Sequence, residues 1–256
     1  MITLRQAIAQ FQVAMMLLTR LPAGNLSAPI PKLRDAVWAF PLVGLVVGAL
    51  GAVVLSLALW VGLPADLAAG LAVATGVLAT GGLHEDGLAD LADGFGGGQT
   101  RARKLEIMRD SQIGSYGTLA LIFSVGVRWH ALALVVAISP GFAVCASVAI
   151  AVISRAGLPA MMVVLPPARD NGLGKSASGG GWAGAAGAAA IGLVATAILL
   201  GPVTAGAVAG AAALALAGVC VLALHQIGGQ TGDVLGAGQQ LAEGMTWVVL
   251  VALVTS

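Results

Sequence analysis

Residues 81–98 read GGLHEDGLADLADGFGGG, and the aspartates Asp86, Asp90 and Asp93 are spaced i, i+4, i+7. On a helix turning about 100° per residue, the three fall within roughly 60° of one another. Three carboxylates along one face repel each other, and near an apolar boundary that repulsion is costly unless a cation offsets it. Carboxylate oxygens are the ligands that Mg²⁺ prefers, and Mg²⁺ keeps positions for waters and substrate phosphates. The spacing therefore points to one or two divalent ions bridging protein and phosphate. Gly87 and Gly94 leave room for a bulky phosphate ester to approach the backbone. A plain solvated acidic loop is the competing reading, and it fits poorly with a chain in which only 9% of residues are charged.

Two neighbours have open roles. Glu85 points about 100° away from Asp86 and is either a further metal ligand or a bystander. His84 is either a general base or phosphate ligand, or an interfacial histidine bonded to a nearby carboxylate. A second element, GGQTGDVLG at 228–236, carries Gln230 and Asp233. Asp233 completes a metal shell or holds a substrate hydroxyl, with a simple turn as the alternative. Arg109 with Asp110, then Arg169 and Lys175, offer substrate contacts, because arginine forks suit phosphate oxygens. Arg128 and Arg155 lie inside apolar runs, where an arginine usually faces a polar cavity or partner. Arg155 is the better candidate for a substrate contact.

These residues must be positioned by helices in lipid. The chain is 59% hydrophobic and 9% charged, against the roughly 25% charged residues of a soluble domain. A span needs about 20 apolar residues. Runs of that kind fall near 36–60, 65–82, 118–138, 141–164, 182–201, 203–224 and, shorter than the rest, 244–255. The expected fold is an all-α polytopic integral membrane bundle of about seven transmembrane helices. It forms one membrane-embedded catalytic domain over 1–256. Residues 1–35 form an interfacial helix and loop, because Leu4, Ile8, Phe11, Met15 and Leu18 share one side of a helical wheel. Glycines 44, 48 and 51, then 184 and 187, then 206 and 210, suit close helix approach.

With seven spans, every loop Lys and Arg falls on one side, and the turns near 61–65, 139–141 and 201–203 carry none. The positive-inside rule makes the charged side cytoplasmic. The loops 83–117, 165–181 and 225–243 then hold nearly all the chemistry. Transporters more often place polar groups at mid-membrane, and this reading places no carboxylate there. There is no basic run with interleaved aromatics, so nucleic acid is not an expected partner. Cys145 and Cys220, both within apolar stretches, read as inert packing residues.

The chain resembles the cobalamin synthase family, also called adenosylcobinamide-GDP ribazoletransferases. The resemblance runs through Thr19-Arg20-Leu21-Pro22, Phe40-Pro41-Leu42-Val43-Gly44, the GGLHEDGLADLADG segment, LEIMRDSQIG at 105–114, Gly172-Leu173-Gly174 and GGQTGDVLG. It implies a Mg²⁺-dependent enzyme of the cell inner membrane, with its active site toward the cytoplasm. Adenosylcobinamide-GDP would be joined to α-ribazole or its 5′-phosphate, releasing GMP. The lipid bilayer and other membrane-associated corrinoid-pathway enzymes are the implied surroundings. A looser mechanistic similarity links the aspartates to enzymes that transfer phosphoalcohols from CDP, and a metal-gated transporter is the non-enzyme alternative.

Overall fold

A computed structural model describes residues 3–169 and 181–256. Among them there is no strand, only one parallel bridge between Pro167 and Gln230. Helix α1 (Leu4–Leu18) opens on a capping box: Thr3 accepts from the Gln6 amide, and the Gln6 side chain accepts from the Thr3 amide. It buries Ala14, Met15 and Leu18 and leaves Leu4 and Ile8 exposed. A short turn α2 (Leu33–Ala36) and a 3-10 segment (Val37–Ala39) lead into α3 (Phe40–Trp60). Then come α4 (Ala65–Thr80), α5 (Leu83–Gly97), α6 (Arg101–Ile107), α7 (Ser115–Ile138), α8 (Pro140–Ala156) and α9 (Leu158–Val164). Beyond residue 181 follow α10 (Trp182–Leu200), α11 (Pro202–Ile227) and α12 (Gly232–Thr255).

Six helical stretches are long and apolar enough to cross a membrane, and the pair α4–α5 raises the number to seven if it counts as one crossing. The all-α polytopic bundle is thus the observed fold. Lipid tails are as apolar as leucine, so close packing holds such helices together. The stripe Gly44, Gly48 and Gly51 supplies it: a Cβ at Gly44 would lie 2.3 Å from the Ala151 carbonyl oxygen, and one at Gly48 would lie 2.8 Å from the Val148 Cα. Gly184 sits against Val37, but Gly206 and Gly210 face open space, contrary to the expectation of close approach there.

Two differences from the sequence reading matter for the site. Helix α4 stops at Thr80, and Gly81 (φ 66°) and Gly82 (φ 70°) turn the chain so that α5 leaves at 86°. Both angles lie in the left-handed region that glycine adopts without steric cost. The acidic segment is therefore a helix lying across the end of the bundle, where a loop was expected. The last span is also complete. Thr231 caps it, accepting from the Val234 amide, and it runs unbroken for 24 residues. Gln239, Gln240 and Glu243, which read as loop, lie inside it.

The ends of these helices are stitched together. Arg101 donates to the carbonyls of Ile227 (2.7 Å) and Ala168 (2.8 Å), Lys104 donates to Gln226, and Arg169 donates to the Leu105 carbonyl (2.9 Å). Gln230 and the 166–168 segment exchange backbone bonds of 2.8 and 2.9 Å. The three segments expected to carry the chemistry thus meet at one end of the bundle.

Candidate active site

Helices α5 and α12 touch backbone to backbone. A Cβ at Gly87 would lie 3.1 Å from Asp233 Cα and 3.2 Å from Gly236 Cα, and a Cβ at Gly236 would lie 3.3 Å from Gly87 Cα and His84 Cα. Glycine on both sides lets Asp86 and Asp90 of α5 share one space with Asp233, the second residue of α12. A cavity of about 100 Å³ opens beside this contact. His84, Asp86 and Asp233 line it, with Leu17, Phe40 and Met162 among its apolar walls.

The electrostatics match the geometry. Asp86 is exposed, and Asp90 is half-buried. Burial, and then the charges of Asp86, Asp233 and Asp93, push the Asp90 carboxyl up to about 7, while Arg169 opposes the rise. His84 is 2% exposed, and neither ring nitrogen has a hydrogen-bond partner. Burial, reinforced by Arg155 and Arg128, holds its pKa well below the usual value, so the imidazole is neutral. Thr231 donates to Asp233 (3.1 Å) and steadies its carboxylate. Arg169 lies within electrostatic reach of Asp233 and Asp90, and Arg109 lies within reach of Arg169.

Other expected site residues stand elsewhere. Asp93 is buried, and its two oxygens accept from the Gly114 amide (2.7 Å) and the Gly117 amide (2.9 Å). A Cβ at either glycine would lie 2.4 Å from an Asp93 oxygen, so glycine is required at both. Asp93 thus fastens the start of α7 rather than standing as a third open carboxylate. Glu85 also turns away from the cavity: Arg128 holds it at 3.0 Å and Gln240 donates to it at 3.0 Å, which removes it from the ligand set. Arg155 is 3% exposed and faces Glu243 (3.9 Å), not an open phosphate site. Gln230, offered by the sequence as a substrate contact, is 1% exposed and gives its amide to the Met162 and Leu165 carbonyls, so it anchors the 166–168 segment. Asp110 accepts from the Gln112 amide within its own exposed turn. Lys175 lies outside the described residues. Cys145 and Cys220 are free thiols.

Sequence reading missed Glu243, Gln239 and Gln240, which sit on α12 and meet Arg128, Arg155 and Ser154. The signal was the polar triplet at i, i+1 and i+4 beyond a Thr cap. Hydropathy counts those side chains as solvent-facing, although each spends its polar atoms on a buried partner.

The donor set around the cavity is all oxygen apart from His84, and burial with crowding raises the proton affinity of Asp90 and Asp233. Both properties suit a hard divalent cation. Among the described residues no three of His, Cys, Asp or Glu stand close enough to hold a metal together. A cation would therefore draw an open acidic arc inward.

An apolar helical bundle with an oxygen-rich acidic site at one end, flanked by arginines, belongs with membrane-embedded enzymes that transfer phosphate-linked groups. The chain belongs to the cobalamin-5-phosphate synthase family, whose model matches residues 10–251. It is similar to the adenosylcobinamide-GDP ribazoletransferase of Bradyrhizobium diazoefficiens, 48% identical over 94% of this chain and 92% of that protein. The proteins of the same name from Mesorhizobium japonicum (45% identical; 93% and 91% covered) and Shewanella oneidensis (38%; 95% and 94%) are similar along nearly the whole length too. No solved structure matches the chain. The protein is accordingly a transferase of cobalamin biosynthesis.

Proposed function

We propose that this enzyme joins adenosylcobinamide-GDP to α-ribazole or its 5′-phosphate, in a Mg²⁺-dependent step, giving adenosylcobalamin or its 5′-phosphate and GMP. The observation that carries the reading is the cavity shared by Asp86, Asp233 and the unpartnered His84, with Asp90 beside it. Asp86, Asp90 and Asp233 would hold the cation. When bound, it supplies positive charge for the pyrophosphate and for the departing GMP.

The protein's own groups do the rest. Phosphoryl transfer asks chiefly for positioning and charge stabilisation. Arg169 flanks the acidic arc with Arg109 beside it, and both bind phosphate oxygens. One carboxylate of the arc, or His84, takes the proton of the ribazole hydroxyl as that oxygen bonds to the cobinamide-bearing phosphorus. The bond from that phosphorus to the GMP oxygen breaks, and GMP leaves with the electron pair. The apolar cavity walls keep water from competing for the same phosphorus.

The site faces the cytoplasm across the cell inner membrane. Arg101, Arg103, Lys104, Arg109 and Arg169 crowd the end of the bundle that holds it, and the turns 61–64, 139 and 201 carry no cation. Purified protein in lipid nanodiscs, given adenosylcobinamide-GDP and α-ribazole, should release GMP with Mg²⁺ and stop with a chelator. Turnover unaffected by chelation would overturn the metal assignment, and no GMP under any condition would overturn the reaction.

A further inference from the structure

Beneath the catalytic face lies a second charged group. Arg128 of α7 contacts Glu85 of α5 (3.0 Å) and Glu243 of α12 (3.4 Å), and Arg155 of α8 approaches Glu243 from the other side (3.9 Å). Gln240 donates to Glu85 (3.0 Å) and accepts from Ser124 (2.9 Å), and Gln239 donates to Ser154 (3.1 Å). Two arginines and two glutamates balance in charge, and the arginines are 3–4% exposed.

This group spans four helices and includes the residue next to Asp86. On α12 it sits seven residues, roughly 10 Å along the axis, beyond Asp233. The helices α5 and α12 therefore meet at two points: the glycine contact Gly87–Gly236 and the Glu85–Gln240 bond that Arg128 braces. A pair of helices fixed at two points cannot swing. Without the brace, α5 keeps the smooth glycine contact and the Asp93 tether to α7, and it can pivot about that tether and carry Asp86 away from Asp233.

We propose that Arg128 is a positioning residue. It grips Glu85 and Glu243 at once and so sets the separation of Asp86 and Asp233, although it never touches substrate. The consequence for turnover rests on the function proposed above, but the geometric claim does not. Losing the brace misplaces the acidic arc by ångströms, a displacement that costs on the order of a hundredfold in rate.

The test uses the full chain in nanodiscs, with Cys145 and Cys220 replaced by alanine. Spin labels go on Gln99→Cys, just past α5, and on Leu241→Cys, which is exposed on α12. Pulsed EPR without metal should show one narrow distance distribution for the parent. Arg128→Leu should broaden it or split it into two maxima. Because that change leaves the buried Glu85 without its cation and risks misfolding, Glu85→Leu/Arg128→Leu is measured beside it, since paired apolar replacement of a buried ion pair usually preserves folding. The double variant should show the same broadening. Its turnover number should fall about a hundredfold and its Mg²⁺ half-saturation should rise, with KM for adenosylcobinamide-GDP unchanged. A parent-like distribution in the folded double variant overturns the proposal. If the parent itself shows no Mg²⁺-dependent turnover, the functional reading fails, and the EPR distances alone still judge the brace.

Discussion

Helices α5 and α12 build two charged regions about two turns apart, and the two follow opposite rules. At the cavity, Asp86, Asp90 and Asp233 are like charges, and Asp90 and Asp233 are pushed up in proton affinity, with an unpartnered His84 among them. Beneath, Glu85, Glu243, Arg128 and Arg155 are matched pairs, largely buried. Unmatched charge is unstable until something arrives to neutralise it, which is the condition of a binding site. Matched charge in lipid is a fastening, and its loss is felt by the fold.

Substitutions should separate these two regions cleanly. The largest effect is expected from Asp86→Asn, which should lower turnover by at least about a thousandfold while leaving the unfolding temperature equal to or above that of the parent, because one repelling charge has gone. GMP release and thermal unfolding on the same preparation check both halves. Glu243→Leu should do the reverse to stability: it strands Arg155 and leaves Arg128 only Glu85, and it costs about 3–5 kcal/mol, seen as loss of folded protein in detergent. If Asp86→Asn destabilised as much as Glu243→Leu, the distinction between the regions would be lost.

Gly44→Ala tests helix packing beside the lower group, since the Ala151 carbonyl it would strike accepts from Arg155. Its Cβ would meet the Ala151 backbone, so a cost of about 1–3 kcal/mol is expected, with little change in KM. The smallest effect belongs to Arg169→Lys, which keeps the charge and loses the fork. KM for adenosylcobinamide-GDP should rise about tenfold, with the stability of the parent.

The sequence made the site more legible than the scaffold beneath it. Asp86 and Asp90 declared themselves because a 3.6-residue period put them on one face, and Asp233 because glycines surround it. Asp93 shares that period but folds onto the amides of Gly114 and Gly117, a contact across more than twenty residues that no local pattern encodes. Gln230 looked available in a glycine-rich loop, yet its amide is spent on two carbonyls. The spans were readable from hydropathy except where polar side chains are satisfied inside the bundle. For that reason Gln239, Gln240 and Glu243 hid half of α12, and the partners of Arg128 stayed unseen.

Helix α1 ties the chemistry to its surroundings. Leu17 and Leu18 at one end of it form part of the cavity wall, while Leu4 and Ile8 at the other are exposed as an apolar edge. One amphipathic helix thus closes the cavity with its buried end and offers an apolar edge to the surroundings with the other.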